Sequence, residues 1–418
     1  MAKILFHSLV FAPDGVSTAY LMTDLARELH KIGHEICVLT TTPHFNVLHK
    51  ALEKQPLQRA FGRWLYRSEL NGIVVWHVAM PSKKKEVSGR IIDMIRFHIL
   101  SLMFGMTLLG HWDIVLAPSP PLTIGLIAWL LGMKNGAPSI YNVQEVYPDL
   151  AIKEGIIKRP NIIRVFRWIE RLVYNRNSAI VVIAEHFRNI VENRVHEPEK
   201  VRVIPNFVDM DLYRVLPRDN NFSRQHGLTD YFVISYAGNI GLAQDWDTLV
   251  YAAENLSSLL IKFLIVGDGA KKTWLAEEIE RKNLKNIILL DYQPREIMPL
   301  INASSDVTTI LMTENASEYG FPSKIYTTMA CGKSTIVYAT IESELVSVIT
   351  KSGCGRFVPI GDKEDYVKAV LDAYNSPEKL SLEGKKGREF IEKNFTKESV
   401  AKQFDELINE LISKRKKI

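Results

Sequence analysis

The residues best suited to chemistry lie between Glu314 and Thr340, in the run ENASEYGFPSKIYTTMACGKSTIVYAT. Glu318-Tyr319-Gly320-Phe321-Pro322 is a turn-rich approach, with Gly320 permitting positive φ and Pro322 fixing the next step. Ser323 is placed to cap a helix from Lys324 to Ala330, which Cys331-Gly332 ends. Ile336-Val337 begin the next strand. A helix start entered from a glycine turn offers N–H groups and positive dipole to a phosphate, and Lys324 adds a full charge beside them. An ordinary loop–helix–strand crossover would carry the same caps without any ligand.

Other candidates stand where strands are expected to end. Lys3 to Leu9 reads as a strand, Phe11 to Thr18 as a turn, and Leu21, Leu25, Leu29 and Ile32 mark one helical face. With Glu35 to Thr41 as the next strand, this is a β-α-β unit whose turn, Pro13-Asp14-Gly15-Val16, sits where open parallel sheets bind ligands. Gly15 is the candidate for close backbone approach, although a turn glycine needs no ligand. It is not a G-x-G-x-x-G fingerprint, which argues against a dinucleotide. Asp113 to Ala117 and Ser139 to Val143 are further strands, and Gln144-Glu145 follow the second. A carboxylate there could orient an acceptor hydroxyl or a developing positive charge, or simply cap a helix.

These pieces require alternating strands and helices twice over. At 418 residues the chain is too long for one ordinary core, so two domains are expected. A hydrophobic content of 47% with 24% charge describes a soluble globular protein. Cys37, Cys331 and Cys354 are far apart and odd in number, which fits a reducing cytoplasm and neither a disulfide framework nor a zinc site. Met1 leads straight into the first strand, so no signal peptide is expected. Of the two D-x-D triplets, Asp209-Met210-Asp211 follows the domain boundary and Asp245-Trp246-Asp247 caps a helix; both read as structural, with no metal site. Serine-hydrolase, zinc-protease, Walker and C-x-x-C motifs are missing.

The net charge of +5 is uneven. Residues 1–205 carry 25 Lys and Arg against 17 Asp and Glu, and the remainder 27 against 30. Much of the excess lies between Lys54 and Arg96, interleaved with Phe61, Trp64 and Tyr66. Nucleic acid or an anionic membrane surface would suit it, and no nucleic-acid-binding signature supports the former. Ile91 to Gly110 is an apolar helix interrupted by Asp93, Arg96 and His98, too short in clean positions to span a bilayer. It is either a core helix or a monotopic contact beside Lys83-Lys84-Lys85. Leu122 to Met133 reads as a second apolar helix, packed in the interior. Residues 47–70 read as a helix and loop, and Ala179 to Ile183 as the last strand of this half.

Pro322-Ser323-Lys324 followed by Met329-Ala330-Cys331-Gly332 resembles the P-x-K-x-x-E-x-M-A-x-G segment of family 4 nucleotide-sugar glycosyltransferases of the GT-B fold. The family's ribose-gripping Glu falls at Thr327. The Pro13-Asp14-Gly15 turn is one residue shorter than the family's P-x-x-G, and VRVIPNFVDMDLY from Val201 resembles its V-I-P-N-G-V-D hinge, with Phe207 for Gly. The resemblance implies an α/β protein with two Rossmann-like domains facing each other across a cleft. The expected boundaries are 1–205 and 206–397, with a helix from 398 to 418 packing back on the first domain.

It also implies retaining transfer of a sugar from a nucleotide donor, usually uridine diphosphate, without metal or other cofactor. The leaving phosphate itself would take the acceptor's proton. Lys324, Glu145 and Gln144 become the catalytic candidates, the last two standing where the family often has H-D. The donor would meet Gly15 and Val16, then Asn239, Gly241 and Gln244, where the family commonly has Arg and Lys. Gly267, Gly269 and Lys272 would edge the nucleotide, Tyr292 would meet the base, and Glu318 to Ser323 with Thr327 would complete the site. The GFPSK and GNIG segments look like the bacterial colanic-acid and O-antigen transferases, whose acceptors are glycans or lipid-linked. That flavour implies a cytoplasmic enzyme touching the inner face of the plasma membrane through residues 54–110. A sugar-nucleotide 2-epimerase shares the fold but should carry carboxylates and a His around its nucleotide. A non-enzymatic membrane or nucleic-acid protein would need only the basic half.

Overall fold

The computed structural model describes residues 1–415 apart from 46, 48, 82–86 and 154. Two compact units emerge, one of residues 1–206 with 397–418 and one of residues 207–396.

Among the described residues, the first unit is built on a nine-stranded sheet. Its order is Gln58–Phe61, Leu65–Leu70, Ile73–Val78, Glu35–Thr41, Lys3–His7, Ile114–Pro118, Ser139–Val143, Ala179–Val182 and Val201–Val203. Leu65–Leu70 alone runs against the others. Continuous apolar runs such as IVLAP and AIVV are buried on both faces, as a parallel sheet under two helical layers requires. Right-handed crossovers put Val87–Thr107, Ile124–Met133 and Pro160–Arg176 side by side on one face. Ser17–Ile32 lies on the other face, and the terminal helix Lys397–Arg415 packs against it. His34 and Asp405 meet at 2.8 Å, and Arg415 bonds the carbonyl of Asn135, which ties the terminal helix to this unit.

Three expectations change here. Residues 49–70 form a short helix, His49–Lys54, and then a hairpin, not a helix and loop. In LYRSEL the alternate residues Tyr66, Ser68 and Leu70 are covered while Arg67 and Glu69 are exposed, a strand signal that the surrounding charge obscures. Ala179–Val182 is not the last strand, because Val201–Val203 pairs beside it. The helix Ile124–Met133 is not wholly interior, since Met133 is exposed. Lys83-Lys84-Lys85 lie outside the described residues.

The second unit has a six-stranded, all-parallel sheet ordered Ile287–Leu290, Ile261–Asp268, Phe232–Asn239, Val307–Leu311, Ser334–Ala339 and Gly355–Pro359. Tyr236, Trp246, Phe263 and Tyr366 are buried in its core.

Candidate functional site

The sheet of the second unit reverses its order beside Phe232–Asn239. The chain runs outward through Ile261–Asp268 and Ile287–Leu290, then returns to the other flank with Val307–Leu311. In open α/β sheets ligands bind at strand carboxyl ends where the order reverses. Two glycine-bearing loops leave the sheet there, in register, with Gly238 opposite Gly267 and Asn239 opposite Asp268.

The loops hold each other closely. Ile240 N donates to the Asp268 carbonyl at 2.8 Å, and Lys271 N donates to that of Ile240 at 2.9 Å. Gly241 N donates to Gln244 Oε1 at 3.0 Å, and Trp246 Nε1 to the Gly241 carbonyl at 2.9 Å. A Cβ on Gly267 would collide with the Gly238 carbonyl, and one on Gly269 would stand 2.6 Å from Asn239 Oδ1. Glycine is therefore needed at both positions for backbone to pass backbone. Gln244 uses its oxygen to shape this loop, a role the family's Lys could not fill.

Lys324 reaches into this corner. Its stem is partly exposed, but its Nζ is buried and has no hydrogen-bond partner among the described residues. The ammonium stands 3.4 Å from the centroid of the Tyr236 ring. Tyr236 is in turn fixed by donating to the Asn239 carbonyl at 2.6 Å and by edge-on packing with Trp246. A Cβ on Gly238 would come within 3.2 Å of Nζ. Burial holds the Lys324 pKa well below its ordinary value. In its charged form the group has three donors and no acceptor, so an anion is the partner that would satisfy it. Among the described residues, the π face of Tyr236 is what compensates it.

The approach to Lys324 differs from expectation. Glu314–Tyr319 is a short helix, not a turn, and Gly320 is extended with φ −123° rather than positive. Ser323 is helical (φ −57°, ψ −10°) and makes no side-chain cap. The amides of Ile325 and Tyr326 bond back to the carbonyls of Pro322 and Ser323, so a tight first turn takes the place of the cap. Thr327 gives its hydroxyl to the Lys324 carbonyl at 2.8 Å, an intrahelical bond. Phe321 packs against Tyr326 with ring centroids 5.3 Å apart. Glu318 lies half-buried on the short helix, and the Tyr319 side chain is outside the described residues. At the other edge, Lys272 is ion-paired with Asp291, and Tyr292 is half exposed.

In the first unit, Gly15 and Val16 follow the strand Lys3–His7, and Val16 is extended before the helix Ser17–Ile32. Sequence reading passed over their neighbour Asp14, which is buried and accepts the amides of His44 and Phe45 at 3.1 Å each. Gln144 is clasped on every side: its N donates to Ser119 Oγ at 2.9 Å, its Nε2 to Asn142 Oδ1 at 3.1 Å, and its Oε1 accepts Asn206 Nδ2 at 2.8 Å. Its side-chain amide is thereby engaged through both its oxygen and its nitrogen, with Glu145 half-buried beside it.

The loop bearing both ends at the helix Asp149–Lys153, whose first residue anchors a buried ionic cluster. Arg167 grips Asp149 through two bonds of 2.7 and 2.8 Å, and Arg194 bonds Glu170 at 2.6 Å and Asp149 at 2.5 Å. Burial pushes the Asp149 pKa up, but the two guanidinium groups outweigh it and leave it below the ordinary value. For Glu170 burial wins, and its pKa is raised. These four residues are scattered along the chain, so no local motif could have announced them.

Two family models account for most of the chain. The glycosyl transferase 4-like domain matches residues 18–206, and the glycosyl transferases group 1 domain matches residues 218–393. WcaI of Escherichia coli, described as a colanic acid biosynthesis glycosyl transferase, is 23% identical over 412 residues, covering 96% of this chain and 98% of that protein. Among solved structures, sucrose-phosphate synthase from Thermosynechococcus elongatus superposes with a TM-score of 0.77 at 14% identity, covering 99% of this chain and 100% of that one. HepE of Anabaena, solved with UDP-glucose, gives 0.73 at 14% identity, covering 98% and 100%.

Two Rossmann-like units of this kind define a GT-B glycosyltransferase. The chain belongs to family 4 of these enzymes and resembles the bacterial surface-polysaccharide transferases.

Proposed function

We propose that the protein is a retaining, metal-independent glycosyltransferase that moves a hexose from a nucleotide sugar, UDP-linked, to a hydroxyl of a glycan or lipid-linked acceptor. The observation carrying this reading is Lys324, whose buried Nζ has no hydrogen-bond partner among the described residues and lies at the sheet's reversal point. A departing diphosphate would supply the missing anion. Negative charge grows on that group as the glycosidic bond breaks, so a fixed cation stabilises the transition state more than the ground state. The glycine loops at Gly238–Gly241 and Gly267–Gly269 pack backbone against backbone at the same strand ends, and Gly238 brings the chain close to Lys324 Nζ. HepE, which was solved with UDP and with UDP-glucose, supports the choice of base. No protein base is required if the leaving phosphate takes the acceptor's proton, which agrees with Gln144 being wholly engaged. A cytoplasmic setting fits the activated donor.

The test is incubation with a panel of nucleotide sugars, with and without chelator. Slow UDP release that chelator leaves unchanged, with the donor's anomeric configuration kept in the product, is the expected result. Interconversion of free sugar nucleotides would point to an epimerase, and abolition by chelator would overturn metal independence.

A further inference from the structure

The corner that holds Lys324 offers its amine an aromatic surface and no acceptor. Among the described residues Nζ has no hydrogen-bond partner, and it lies 3.4 Å from the centroid of the buried Tyr236 ring. The ring is held from two sides. Its hydroxyl donates to the Asn239 carbonyl at 2.6 Å, and it packs edge-on with Trp246 at 4.8 Å between centroids. A Cβ at position 238 would stand 3.2 Å from Nζ, so Gly238 leaves the amine its place on the ring.

The titratable groups on the surrounding elements do not serve it. In the glycine loops Asp245 accepts the amide and hydroxyl of Thr248 at 3.0 and 2.9 Å, and Asp268 accepts Gly269 N at 2.9 Å. On the short helix before Lys324, Glu314 is exposed and Glu318 half-buried, and neither bonds Nζ. Tyr326, on the same helix as Lys324, stacks on Phe395, and Tyr338 of the neighbouring strand packs edge-on to Tyr366. Arg388, on the helix packed against Lys324–Ala330, bonds the Ala330 carbonyl at the far end.

Such a corner favours the uncharged amine while it is empty. An ammonium there gives up its hydrogen bonds to water and receives one aromatic face in return. An uncharged amine loses less, and can point an N–H at the same face as a weak hydrogen bond. Burial moves the Lys324 pKa in this direction, with no neighbouring charge to oppose it. A diphosphate reverses the balance, because an anion within reach favours the charged form.

We infer that Tyr236 holds the amine of Lys324 in place in the empty site, and that an arriving diphosphate draws a proton onto it from solution. Only a proton changes hands: the amine and a proton from water become the ammonium as the nucleotide binds, and the proton returns to water when the product leaves. The cation is thus present when the glycosidic bond breaks and absent from the interior between turnovers. Lys324 is the group that meets the phosphates, and Tyr236 is its positioning residue. Proton uptake of this kind rests on the donor reading, since it needs a diphosphate beside Nζ.

The experiment is calorimetric titration of the full chain with UDP at about pH 8, where the terminal phosphate has already lost its second proton. Two buffers of different ionisation enthalpy are used, and the difference in heat counts protons. Uptake of about one proton per UDP is expected. Between the pKa of the empty site and that of the complex, the complex binds more protons, so the Kd should rise by up to about tenfold per pH unit. K324R, whose guanidinium stays charged, should take up almost none. Y236L should weaken UDP binding roughly tenfold, and Y236F, which keeps the ring face, should restore it with the wild-type proton count. A lysine-selective carbon-13 spectrum reads the same group without a ligand. The Cε resonance absent from K324M should report an uncharged amine in the empty protein at that pH, and a charged one with UDP. UDP that binds without uptake, or a charged Lys324 in the empty protein, would overturn the inference and leave the donor site standing. Uptake that persists in K324R or disappears in Y236F would do the same, by placing the proton on another group. If UDP does not bind at all, the donor reading falls and proton uptake with it. Should K324R fail to fold, the carbon-13 spectrum decides.

Discussion

Replacing Lys324 by Met should make the protein more stable and less able to hold a nucleotide. The side chains are similar in length, so Met keeps the stem's packing and removes only the ammonium. In the wild type that group is buried with no hydrogen-bond partner among the described residues. An unsatisfied buried polar group costs about 1–3 kcal/mol, and the Tyr236 ring at 3.4 Å returns roughly 0.5–2 kcal/mol of this. The net gain for Met is on the order of 1 kcal/mol. It should also depend on pH in one direction. Burial sets the folded-state pKa of Lys324 well below that of the unfolded chain. Between the two values the unfolded state binds more protons, so wild-type stability rises with pH. The penalty, and with it the advantage of Met, must therefore be larger at about pH 6 than at about pH 9. Donor affinity should move the other way. Removing a desolvated cation that faces a diphosphate costs about 2–4 kcal/mol, roughly 30- to 1,000-fold in Kd. Urea unfolding at the two pH values and calorimetric titration with UDP measure both halves. A Met variant that is less stable, or that binds UDP as tightly as the wild type, would refute the assignment of Lys324 as an anion site.

Two further outcomes follow from the same geometry. In G269A the new methyl would stand 2.6 Å from both Asn239 Oδ1 and the Ile240 carbonyl carbon. The loop must shift, at roughly 1–3 kcal/mol of stability and about tenfold of UDP affinity. G110A, with nothing within 4 Å of its Cβ, is the matched control and should change neither. In R194L the buried Glu170 loses its 2.6 Å partner, and thermal unfolding should show a loss of about 3–5 kcal/mol. Because burial already raises the Glu170 pKa, that deficit should shrink as the pH falls from about 8 to 5 and the carboxyl takes up a proton. A deficit independent of pH would show that Glu170 does not carry it.

Periodicity and punctuation along the chain were enough for the two rounds of strand and helix alternation, for the end of the Lys324–Ala330 helix at Gly332, and for the Asp245 cap, which accepts Thr248 N at 3.0 Å. These are local effects, decided by side-chain period and by backbone φ/ψ within a few residues. The same rules misread the hairpin over residues 58–70, where charge hides a two-residue alternation. They also misread Gly320 and Ser323, whose turn is set by the packing of Phe321 and Tyr326 rather than by intrinsic preference. What only tertiary structure decided is which groups meet. That Lys324 would lie on Tyr236 depends on two strands pairing across a sheet, as does the close passage of Gly267 by Gly238. Asn206 reaching Gln144, and Asp149, Glu170, Arg167 and Arg194 closing into one cluster, likewise join residues 18 to 62 positions apart. A chain's local preferences fix the direction of each element. The chemistry of a site depends on distances between elements, which only the packed core sets.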